Sequence, residues 1–308
     1  MKKIYISTST FAQFSSKPLE MLRDNNYEVT INSFGRKLHQ NEVLNIVSNF
    51  DAIIAGTENY NSETIESAKN LKVISRVGIG LDNIDIECAD QKGIKIFKTQ
   101  TTPAPSVAEL VLGLTLDLLR KISNHNKNLK NGIWTKQMGS LFHGKALGII
   151  GLGNIGKKLV EITSGMQLKY LAYDIVRDEK FAQEYGVQYC NLDELLIKSD
   201  VVSIHLSLSD NNKGLIGFNQ LKMMKNTSIL INTSRGEIVN EQELEKAILK
   251  KIIAGAGLDV FQDEPYAGDL RKYDNVIVTP HIGSYAKEIR VSMELEAVEN
   301  LLIGLEKI

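Results

Sequence analysis

Cysteine is scarce in this sequence. Only Cys88 and Cys190 occur among its 308 residues, and they lie far apart along the chain. Their separation fits neither a metal-binding nor a redox-active spacing. We therefore expect two free thiols, as is usual in a reducing cytoplasm, and we predict a cytoplasmic protein without a metal site.

Long apolar runs and an excess of one charge are also missing. Lysine and arginine number 36 against 37 aspartates and glutamates, which gives a formal net charge of -1. This balance provides no electrostatic reason to expect nucleic acid or an anionic membrane as a partner. No apolar run approaches the roughly 18–20 residues of a membrane span. The first residues, MKKIYISTST, lack the apolar core of a signal peptide and are typical of a strand.

Hydrophobic residues, by contrast, make up 43% of the chain, enough for the cores of two ordinary domains. Short apolar runs alternate with helical patterns, which favours parallel sheets covered on both faces. We predict strands at residues 3–7, 27–32, 51–55, 73–77, 94–97, 147–150, 170–173, 201–205, 229–231, 254–258 and 276–278. The fold class expected is α/β, with two Rossmann-like, doubly wound parallel-sheet domains.

Two further segments bear on domain organisation. The stretch TTPAPS at residues 101–106 is rich in helix and strand breakers and is a candidate domain boundary. Residues 287–307 have the pattern of an amphipathic helix. Because this helix follows the second set of strands, it could return to complete the first domain.

The stretch ALGIIGLGNIG at residues 146–156 places a buried strand before a glycine-rich turn and a helix. That order is the context in which a dinucleotide fingerprint is found. Gly151 allows the tight turn, Gly153 lets the backbone approach a pyrophosphate, and Gly156 lets the helix pack closely on the strand. The helix N-terminus can then hold the phosphates. A packing turn is the alternative for this motif taken alone.

An acidic residue after the next predicted strand indicates which dinucleotide binds. Asp174 follows the run LKYLAY and lies about twenty residues beyond the glycines. A carboxylate at this position accepts hydrogen bonds from the ribose hydroxyls and repels a 2′-phosphate. Arg177, a little further on, would instead suit that phosphate. The sequence therefore favours NAD over NADP.

Three later strands are each followed by a polar loop. The loops read NTSRG at 232–236, DEP at 263–265 and TPHIGS at 279–284. In an open α/β sheet, the loops at the carboxyl ends of the strands face the ligand crevice. The sequence thus predicts that Arg235, Glu264 and His281 are delivered to one site.

Several motifs resemble those of the D-isomer-specific 2-hydroxyacid dehydrogenases, and most of all the phosphoglycerate dehydrogenase-like branch. These motifs are RVGIGLDNID (76–85), SVAELVLGLTLDLLR (106–120), GLGNIG (151–156), NTSRGEIVN (232–240), GLDVFQDEP (257–265) and TPHIGS (279–284). The resemblance implies NAD-dependent hydride transfer between the nicotinamide and a 2-hydroxy or 2-oxo acid. It also implies a substrate-binding domain of residues 1–100 plus 285–308, with an NAD-binding domain of residues 101–284 inserted into it. Members of this family usually pair as homodimers through the NAD-binding domain.

The resemblance implies that the catalytic residues are Arg235, Glu264 and His281, the same three residues that lie in the polar loops. His281, which as a histidine titrates near neutral pH, would move the hydroxyl proton. Glu264, paired with the imidazole, would stabilise the imidazolium and fix its tautomer. The guanidinium of Arg235 would bind the substrate carboxylate and polarise the carbonyl oxygen.

Binding roles follow from the same resemblance. Main-chain N–H groups at Val77 and Gly78 would hold the substrate carboxylate. The positions that would contact pyrophosphate, ribose or the nicotinamide carboxamide, besides the glycines and Asp174, are Asn154, Ile155, Thr233 and Asp259. His205 follows a strand beside the cofactor, where a structural role is equally compatible with the sequence.

Besides HLSL at 205–208, which lacks the proline of the family's His-x-Pro-Leu, two segments depart from the family pattern and leave the substrate open. Residues 98–101 read KTQT where the family usually has NTPG, which brings Lys98 near the crevice. Residues 55–58 read AGTE, without the arginine by which phosphoglycerate dehydrogenases hold the substrate phosphate, although Arg76 or Lys98 could substitute. The candidate substrates are 3-phosphoglycerate, glyoxylate and hydroxypyruvate.

Two other kinds of protein remain as alternatives. The first is a protein that senses NAD(H) without turnover, as corepressors resembling this family do. The second is an enzyme that takes its hydride from a small donor such as formate or phosphite. The complete set of Arg235, Glu264 and His281 argues against the sensor.

Overall fold

The structure is a computed structural model that describes residues 1–306. Within those residues the chain forms two compact units. Unit 1 comprises Met1–Thr102 together with the segment that starts at Tyr285, and unit 2 comprises Pro103–Ser284. The boundaries predicted from the sequence lie after residues 100 and 284.

Each unit is built on one parallel sheet. The strands of unit 1 are β1 (Lys3–Ile6), β2 (Glu28–Ile31), β3 (Ala52–Ala55), β4 (Val73–Arg76) and β5 (Lys95–Lys98). The strands of unit 2 are β6 (Ala146–Ile150), β7 (Lys169–Tyr173), β8 (Val187–Tyr189), β9 (Val201–Ile204), β10 (Ile229–Asn232), β11 (Gly255–Leu258) and β12 (Val276–Val278). The predicted fold class, α/β with two doubly wound parallel sheets, is confirmed.

Helices connect the strands and cover the sheets. The helices of unit 1 are α1 (Lys17–Asp24), α2 (Gln40–Asn49), α3 (Ser62–Ser67), α4 (Ile86–Gln91) and α12 (Lys287–Glu306). Those of unit 2 are α5 (Ala104–Arg120), α6 (Ile122–Lys130), α7 (Asn154–Thr163), α8 (Glu179–Tyr185), α9 (Leu192–Lys198), α10 (Phe218–Met223) and α11 (Glu241–Leu249). The helix predicted at 287–307 is thus confirmed as far as residue 306, and its last position lies outside the described residues. No helix within that range has the length and apolar character needed to cross a membrane.

The sheet of unit 1 has the strand order β2-β1-β3-β4-β5. The chain steps from β1 to β2 on one side and from β3 to β5 on the other, so the order reverses between β1 and β3. Ligands of open parallel sheets bind beside the carboxyl ends of the strands at such a reversal. Helix α12 covers one face, where Met293 and Ala297 share an apolar cluster with Ile54 and Val73.

The sheet of unit 2 has the order β12-β11-β10-β9-β6-β7-β8, and it reverses between β6 and β9. The glycine-rich turn therefore leaves the sheet at the reversal. Strand β8 was missed by the sequence prediction, because its three residues, VQY, include a polar glutamine and form no apolar run. The other predicted strands are confirmed, with ends shifted by at most one residue.

Candidate active site

The glycine-rich turn after β6 packs closely against the backbone that follows β9. Gly151 has a φ of +96°, which residues with a side chain rarely adopt. A Cβ on Gly151 would lie 2.8 Å from the carbonyl oxygen of His205, and one on Gly156 would lie 2.5 Å from the carbonyl oxygen of Gly151. A Cβ on Gly153 would meet nothing within 4 Å. The turn is therefore tightly packed at Gly151 and Gly156, whereas the space beside Gly153 is open.

The first turn of α7 lies directly beside this open space. The helix starts at Asn154, and its N-cap, Gly153, has no side chain to cap it. Gly153 and Asn154 are exposed, and Ile155 is partly buried. The first N–H groups of a helix have no intrahelical acceptor, and they bind anions well. This geometry fits a pyrophosphate at Gly153, Asn154 and Ile155.

Asp174 braces the turn from the end of β7. Its Oδ2 accepts a hydrogen bond from the Leu152 N–H at 2.7 Å, and its Oδ1 accepts from the Val176 N–H at 3.0 Å. A carboxylate has about four acceptor positions, so these two bonds leave capacity for ribose hydroxyls. The guanidinium of Arg177 lies over the ring of Tyr189, 5.2 Å from its centre. The acid therefore both supports the turn and fits the ribose of NAD.

Two buried polar atoms at the strand ends of unit 2 have no hydrogen-bond partner among the described residues. They are Oγ1 of Thr233, after β10, and Nδ1 of His205, after β9. The other ring nitrogen of His205 lies 2.9 Å from Oγ of Ser203. Burial lowers the pKa of His205 to about 3, so the ring is neutral at physiological pH. Unpaired buried polar atoms cost about 1–3 kcal/mol each, which a bound dinucleotide can offset by pairing with them.

His281 and Glu264 form a direct pair in the loops after β12 and β11. Nδ1 of His281 lies 2.9 Å from Oε2 and 3.1 Å from Oε1 of Glu264. The N–H of Phe261 also donates to Oε1 of Glu264, at 3.2 Å. Because a carboxylate only accepts hydrogen bonds, we assign the ring proton to Nδ1. Nε2 then carries the lone pair, which is the arrangement of a general base.

Asp259 holds the loop that carries His281. The Asp259 side chain is 1% exposed and accepts from Thr279 Oγ1 at 2.6 Å and from the N–H groups of Ile282 and Gly283 at 2.8 Å. Burial raises its pKa, although these three donors oppose the rise. The backbone of His281 has a φ of +55°, an uncommon conformation for a histidine, and its N–H donates to the Asp259 carbonyl. This anchoring was not foreseen from the sequence, and the predicted contact with the nicotinamide stays a prediction.

Arg235 lies in a loop that packs against the start of the Glu264 loop. Its Nη1 donates to the Ser234 carbonyl at 2.7 Å, and Asn232 Nδ2 donates to the Arg235 carbonyl at 2.9 Å. A Cβ on the next residue, Gly236, would lie only 2.0 Å from the carbonyl carbon of Phe261. Only glycine fits this contact. The glycine that follows Arg235 therefore allows the two loops to approach each other closely. The arrangement places Arg235, Glu264 and His281 on adjoining loops at the carboxyl edge of the unit 2 sheet.

Val77 and Gly78 follow β4 in unit 1, and both are buried. The Val77 N–H donates to the Ala55 carbonyl at 2.9 Å, so the sheet already uses this group. The Val77 N–H is therefore not available for the predicted carboxylate contact, and the contact at Gly78 stays a prediction. A Cβ on Gly78 would lie 2.0 Å from Nη1 of Arg76, which shows that the guanidinium reaches over this glycine.

The unusual residues 98–101 are tied to the last helix. The Thr101 N–H and Oγ1 donate to Oε2 of Glu296 on α12, at 2.8 and 2.6 Å, and the Gln100 N–H donates to Oε1. The Lys98 carbonyl accepts from Nδ2 of Asn300 at 3.2 Å. Side chains of α12 thus fix the path of this segment, which lacks the Pro-Gly of the family pattern.

Comparison with known proteins indicates one family. The profile of the D-isomer specific 2-hydroxyacid dehydrogenase NAD-binding domain matches residues 112–283. Hydroxypyruvate reductase of Thermotoga maritima is 37% identical over 271 residues, which cover 86% of this chain and 88% of that protein. Glyoxylate reductase of Thermofilum pendens is 38% identical over 275 residues, which cover 86% and 81%. D-3-phosphoglycerate dehydrogenase of Archaeoglobus fulgidus is 34% identical over 293 residues, 94% of this chain but 55% of that protein.

The fold is shared with solved structures as well. The crystal structure of the TT0316 protein from Thermus thermophilus matches with a TM-score of 0.88 at 30% identity, covering 99% of this chain and 97% of that one. Sequence profile and relatives thus point to one family, and the profile describes the domain that binds NAD. The chain belongs to the D-isomer specific 2-hydroxyacid dehydrogenases and is an NAD-dependent oxidoreductase.

Proposed function

We propose that this enzyme interconverts a short 2-oxo acid and its D-2-hydroxy acid, with Arg235, Glu264 and His281 acting on the substrate. The observation that carries the proposal is the 2.9 Å contact between His281 Nδ1 and Glu264 Oε2, on loops that adjoin the Arg235 loop. Relatives are named for hydroxypyruvate, glyoxylate and 3-phosphoglycerate, and these names supply the candidate substrates.

The His281–Glu264 pair supports a proton-transfer role. With Glu264 accepting from Nδ1–H, the Nε2 lone pair of His281 takes the hydroxyl proton during oxidation. In reduction the imidazolium returns that proton to the carbonyl oxygen. The neighbouring carboxylate stabilises the imidazolium that forms in oxidation and that donates the proton in reduction.

Arg235 suits the recognition of the acid itself. A guanidinium has five N–H donors in a planar fork, enough both to brace the loop through Ser234 and to bind a carboxylate. Its charge also stabilises the negative charge that develops on the carbonyl oxygen as the 2-oxo acid is reduced. A lysine would keep the charge but lose the fork.

NAD fits the turn at Gly153 and, when bound, supplies the hydride acceptor for oxidation or, as NADH, the hydride donor for reduction. Gly153, Asn154 and Ile155 would hold the pyrophosphate through their N–H groups. Asp174 would hold the ribose hydroxyls, and Thr233 would pair its buried hydroxyl with the bound dinucleotide.

The test follows NADH absorbance with purified protein and a panel of 2-oxo acids, phosphorylated and not. We expect turnover with at least one acid, and we expect His281→Ala to lower kcat by about 10²–10⁴-fold with NADH affinity nearly unchanged. His143→Ala, at an exposed position, is the matched control and should keep full turnover.

Tight NADH binding without turnover of any acid would identify an NAD(H) sensor instead. A large loss of NADH affinity in His281→Ala would mean that His281 is mainly structural.

We also propose a homodimer that pairs through unit 2. Within residues 122–141 that unit leaves six apolar side chains exposed, here together called the Trp134 patch: Ile122, Leu129, Ile133, Trp134, Met138 and Leu141. Trp134 is 80% exposed and Met138 is 90% exposed, and soluble chains seldom leave such groups of side chains uncovered. On helix α5, by contrast, Val111, Leu114 and Leu119 are buried in the core of unit 2 and are not available for such a contact. The Trp134 patch is therefore the better candidate for the dimer contact.

A cytoplasmic location remains part of the proposal. Cys88 and Cys190 are both free thiols in the structure, as a reducing compartment would keep them. Burial raises the pKa of each thiol, which disfavours the reactive thiolate. We expect no nucleic-acid partner, since the net charge is -1.

A further inference from the structure

A carboxylate on α11 holds the backbone of the loop that carries Glu264. Glu241 is the first residue of α11 and is partly buried. Its Oε1 accepts a hydrogen bond from the Gln262 N–H at 2.6 Å. Gln262 follows Phe261, whose own N–H donates to Oε1 of Glu264 at 3.2 Å. The loop is thus tied to α11 by Glu241 and closed on itself by Glu264.

The peptide between Phe261 and Gln262 is also confined by close packing. A Cβ on Gly236 would lie 2.0 Å from the carbonyl carbon of Phe261 and 2.3 Å from the nitrogen of Gln262. The Phe261 ring is buried and stacks on the ring of Tyr266, with the ring centres 4.0 Å apart. Packing limits the movement of this peptide, but a hydrogen bond is directional and also sets the orientation of the N–H. Glu241 supplies that orientation.

The hydrogen bond keeps Glu241 where its charge is not favoured. Burial raises the pKa of Glu241, whereas the hydrogen bond from Gln262 lowers it. Three further carboxylates also raise this pKa, namely those of Asp263, Glu237 and Glu264. The first turn of a helix favours a negative charge and offsets part of this repulsion. The position of the Glu241 side chain therefore depends on the N–H group that it binds.

The pair that this loop presents depends on alignment. Nδ1 of His281 lies 2.9 Å from Oε2 of Glu264. A carboxylate within hydrogen-bond reach stabilises the imidazolium, and this effect weakens when the carboxylate moves away. The other charged or titratable groups around Glu241 and the pair are Asp259 below the His281 loop, Arg235 in the adjoining loop, Tyr266, Glu237 and Asp263.

We infer that Glu241 is a positioning residue of the proposed reaction, which through the Gln262 peptide keeps the carboxylate of Glu264 aligned with Nδ1 of His281. This inference rests on the proposed function, because it concerns the proton transfer at His281. Glu241 acts through Glu264 and not on the substrate. Its carboxylate serves as a hydrogen-bond acceptor, and its charge is not required.

The experiment measures kcat and KM for reduction of a 2-oxo acid substrate across a range of pH. About 0.15 M salt screens the direct effect of a partly exposed charge. Reduction uses the imidazolium, so kcat falls as the pH rises through a midpoint. We expect Glu241→Ala to lower kcat by about tenfold, to leave KM within about twofold, and to move this midpoint down by about 0.5 pH unit or more. Glu241→Gln keeps an acceptor for the Gln262 N–H and should retain the native kcat and midpoint.

Glu243→Ala is the matched control. Glu243 lies in the same turn of α11, and its Oε2 accepts from the Phe218 N–H at 2.6 Å, so the variant loses an equally short backbone contact away from the Glu264 loop. It should keep the native kcat and midpoint. Urea unfolding checks that each variant is folded. Should Glu241→Ala not fold, Glu241→Asp replaces it, since it keeps the charge at the helix start, shortens the side chain and should move the midpoint in the same direction.

Two results would overturn the inference. One is a folded Glu241→Ala or Glu241→Asp enzyme with the native kcat and pH midpoint. The other is a Glu241→Gln enzyme as impaired as Glu241→Ala, because the charge and not the hydrogen bond would then be what acts. Failure of the proposed function looks different, because then the native enzyme reduces none of the acids or His281→Ala keeps full turnover.

Discussion

The imidazole of His205, just after β9, is neutral in the folded protein. Because the same side chain can be protonated in the unfolded chain, it makes the stability of the protein depend on pH. Burial lowers its pKa to about 3 from the ordinary 6.5. Between those pH values the unfolded chain binds a proton on this residue and the folded chain does not. The contribution of His205 therefore makes stability rise with pH over this window and fall on acidification.

A variant without the imidazole should be less sensitive to mild acid. Between pH 7.5 and 5.5, a histidine with an unfolded pKa of about 6.5 costs the folded state about 1.4 kcal/mol when it cannot be protonated there. We predict that the native chain loses about this much more stability than His205→Asn across that interval, measured by urea unfolding at both pH values. Equal losses in the two proteins would show that His205 takes up its proton in the folded state.

Residue identities were easier to predict than residue contacts. The order of strands and polar loops predicted that Arg235, Glu264 and His281 are delivered to one site. The structure places His281 against Glu264 and the Arg235 loop against the start of the Glu264 loop, and their joint action on a substrate stays a prediction. The anchoring by Asp259 was missed because its donors lie 20 to 24 residues further along the chain, beyond any local pattern. The N–H of Val77 was assigned to the substrate because a motif does not reveal which groups the neighbouring strand uses.

At the scale of elements, α12 positions the segment that leads out of β5. Burial alone would raise the pKa of Glu296, but hydrogen bonds from Thr101 and Gln100 outweigh it and lower the pKa below 4.5. A carboxylate with a lowered pKa stabilises the fold above its unfolded pKa and loses this effect as the pH falls through the folded value. The anchor is therefore complete at neutral pH and is lost in acid.

Removing this charge should loosen residues 100 and 101 selectively. An amide at position 296 offers one acceptor oxygen in place of two, so Glu296→Gln leaves a donor unsatisfied. We predict that hydrogen exchange of the Gln100 and Thr101 amides speeds up by about tenfold or more. Glu299→Gln, an exposed position on the same helix, should leave both rates unchanged. Unchanged rates in Glu296→Gln as well would mean that the segment is held by other contacts.

Apolar runs predicted the other strands, including the three-residue VIV of β12, but they did not predict β8. Runs such as AIIA in β3 and ILIN in β10 are buried along their full length. The run VQY of β8 has one buried residue and lies at the edge of its sheet, so pairing with β7 defines it more than its own composition does. Such a strand forms because the neighbouring strand, here β7, presents N–H and C=O groups with which its backbone can pair.

For the whole molecule, the Trp134 patch predicts the assembly state. We predict that the native protein is a dimer at micromolar concentration and that Trp134→Glu raises the dissociation constant by about 100-fold, as measured by sedimentation equilibrium. A charge placed in the centre of an apolar contact costs this much because it is desolvated without a partner. Ile197→Glu, also exposed in unit 2 but outside the Trp134 patch, is the control and should stay dimeric. A native protein that sediments as a monomer would contradict the proposal.

The division of unit 1 between the two ends of the chain has a consequence for synthesis on the ribosome. The face of its sheet that carries Ile54 and Val73 is covered by α12, whose residues are translated after all of unit 2. Unit 2 is contiguous and can fold as soon as it emerges, whereas the earlier-made strands wait with an apolar face uncovered. During synthesis, the N-terminal strands of unit 1 are therefore made first but reach their final packing last. We expect chaperones to bind the nascent chain at this stage, because the apolar face of these strands is still exposed.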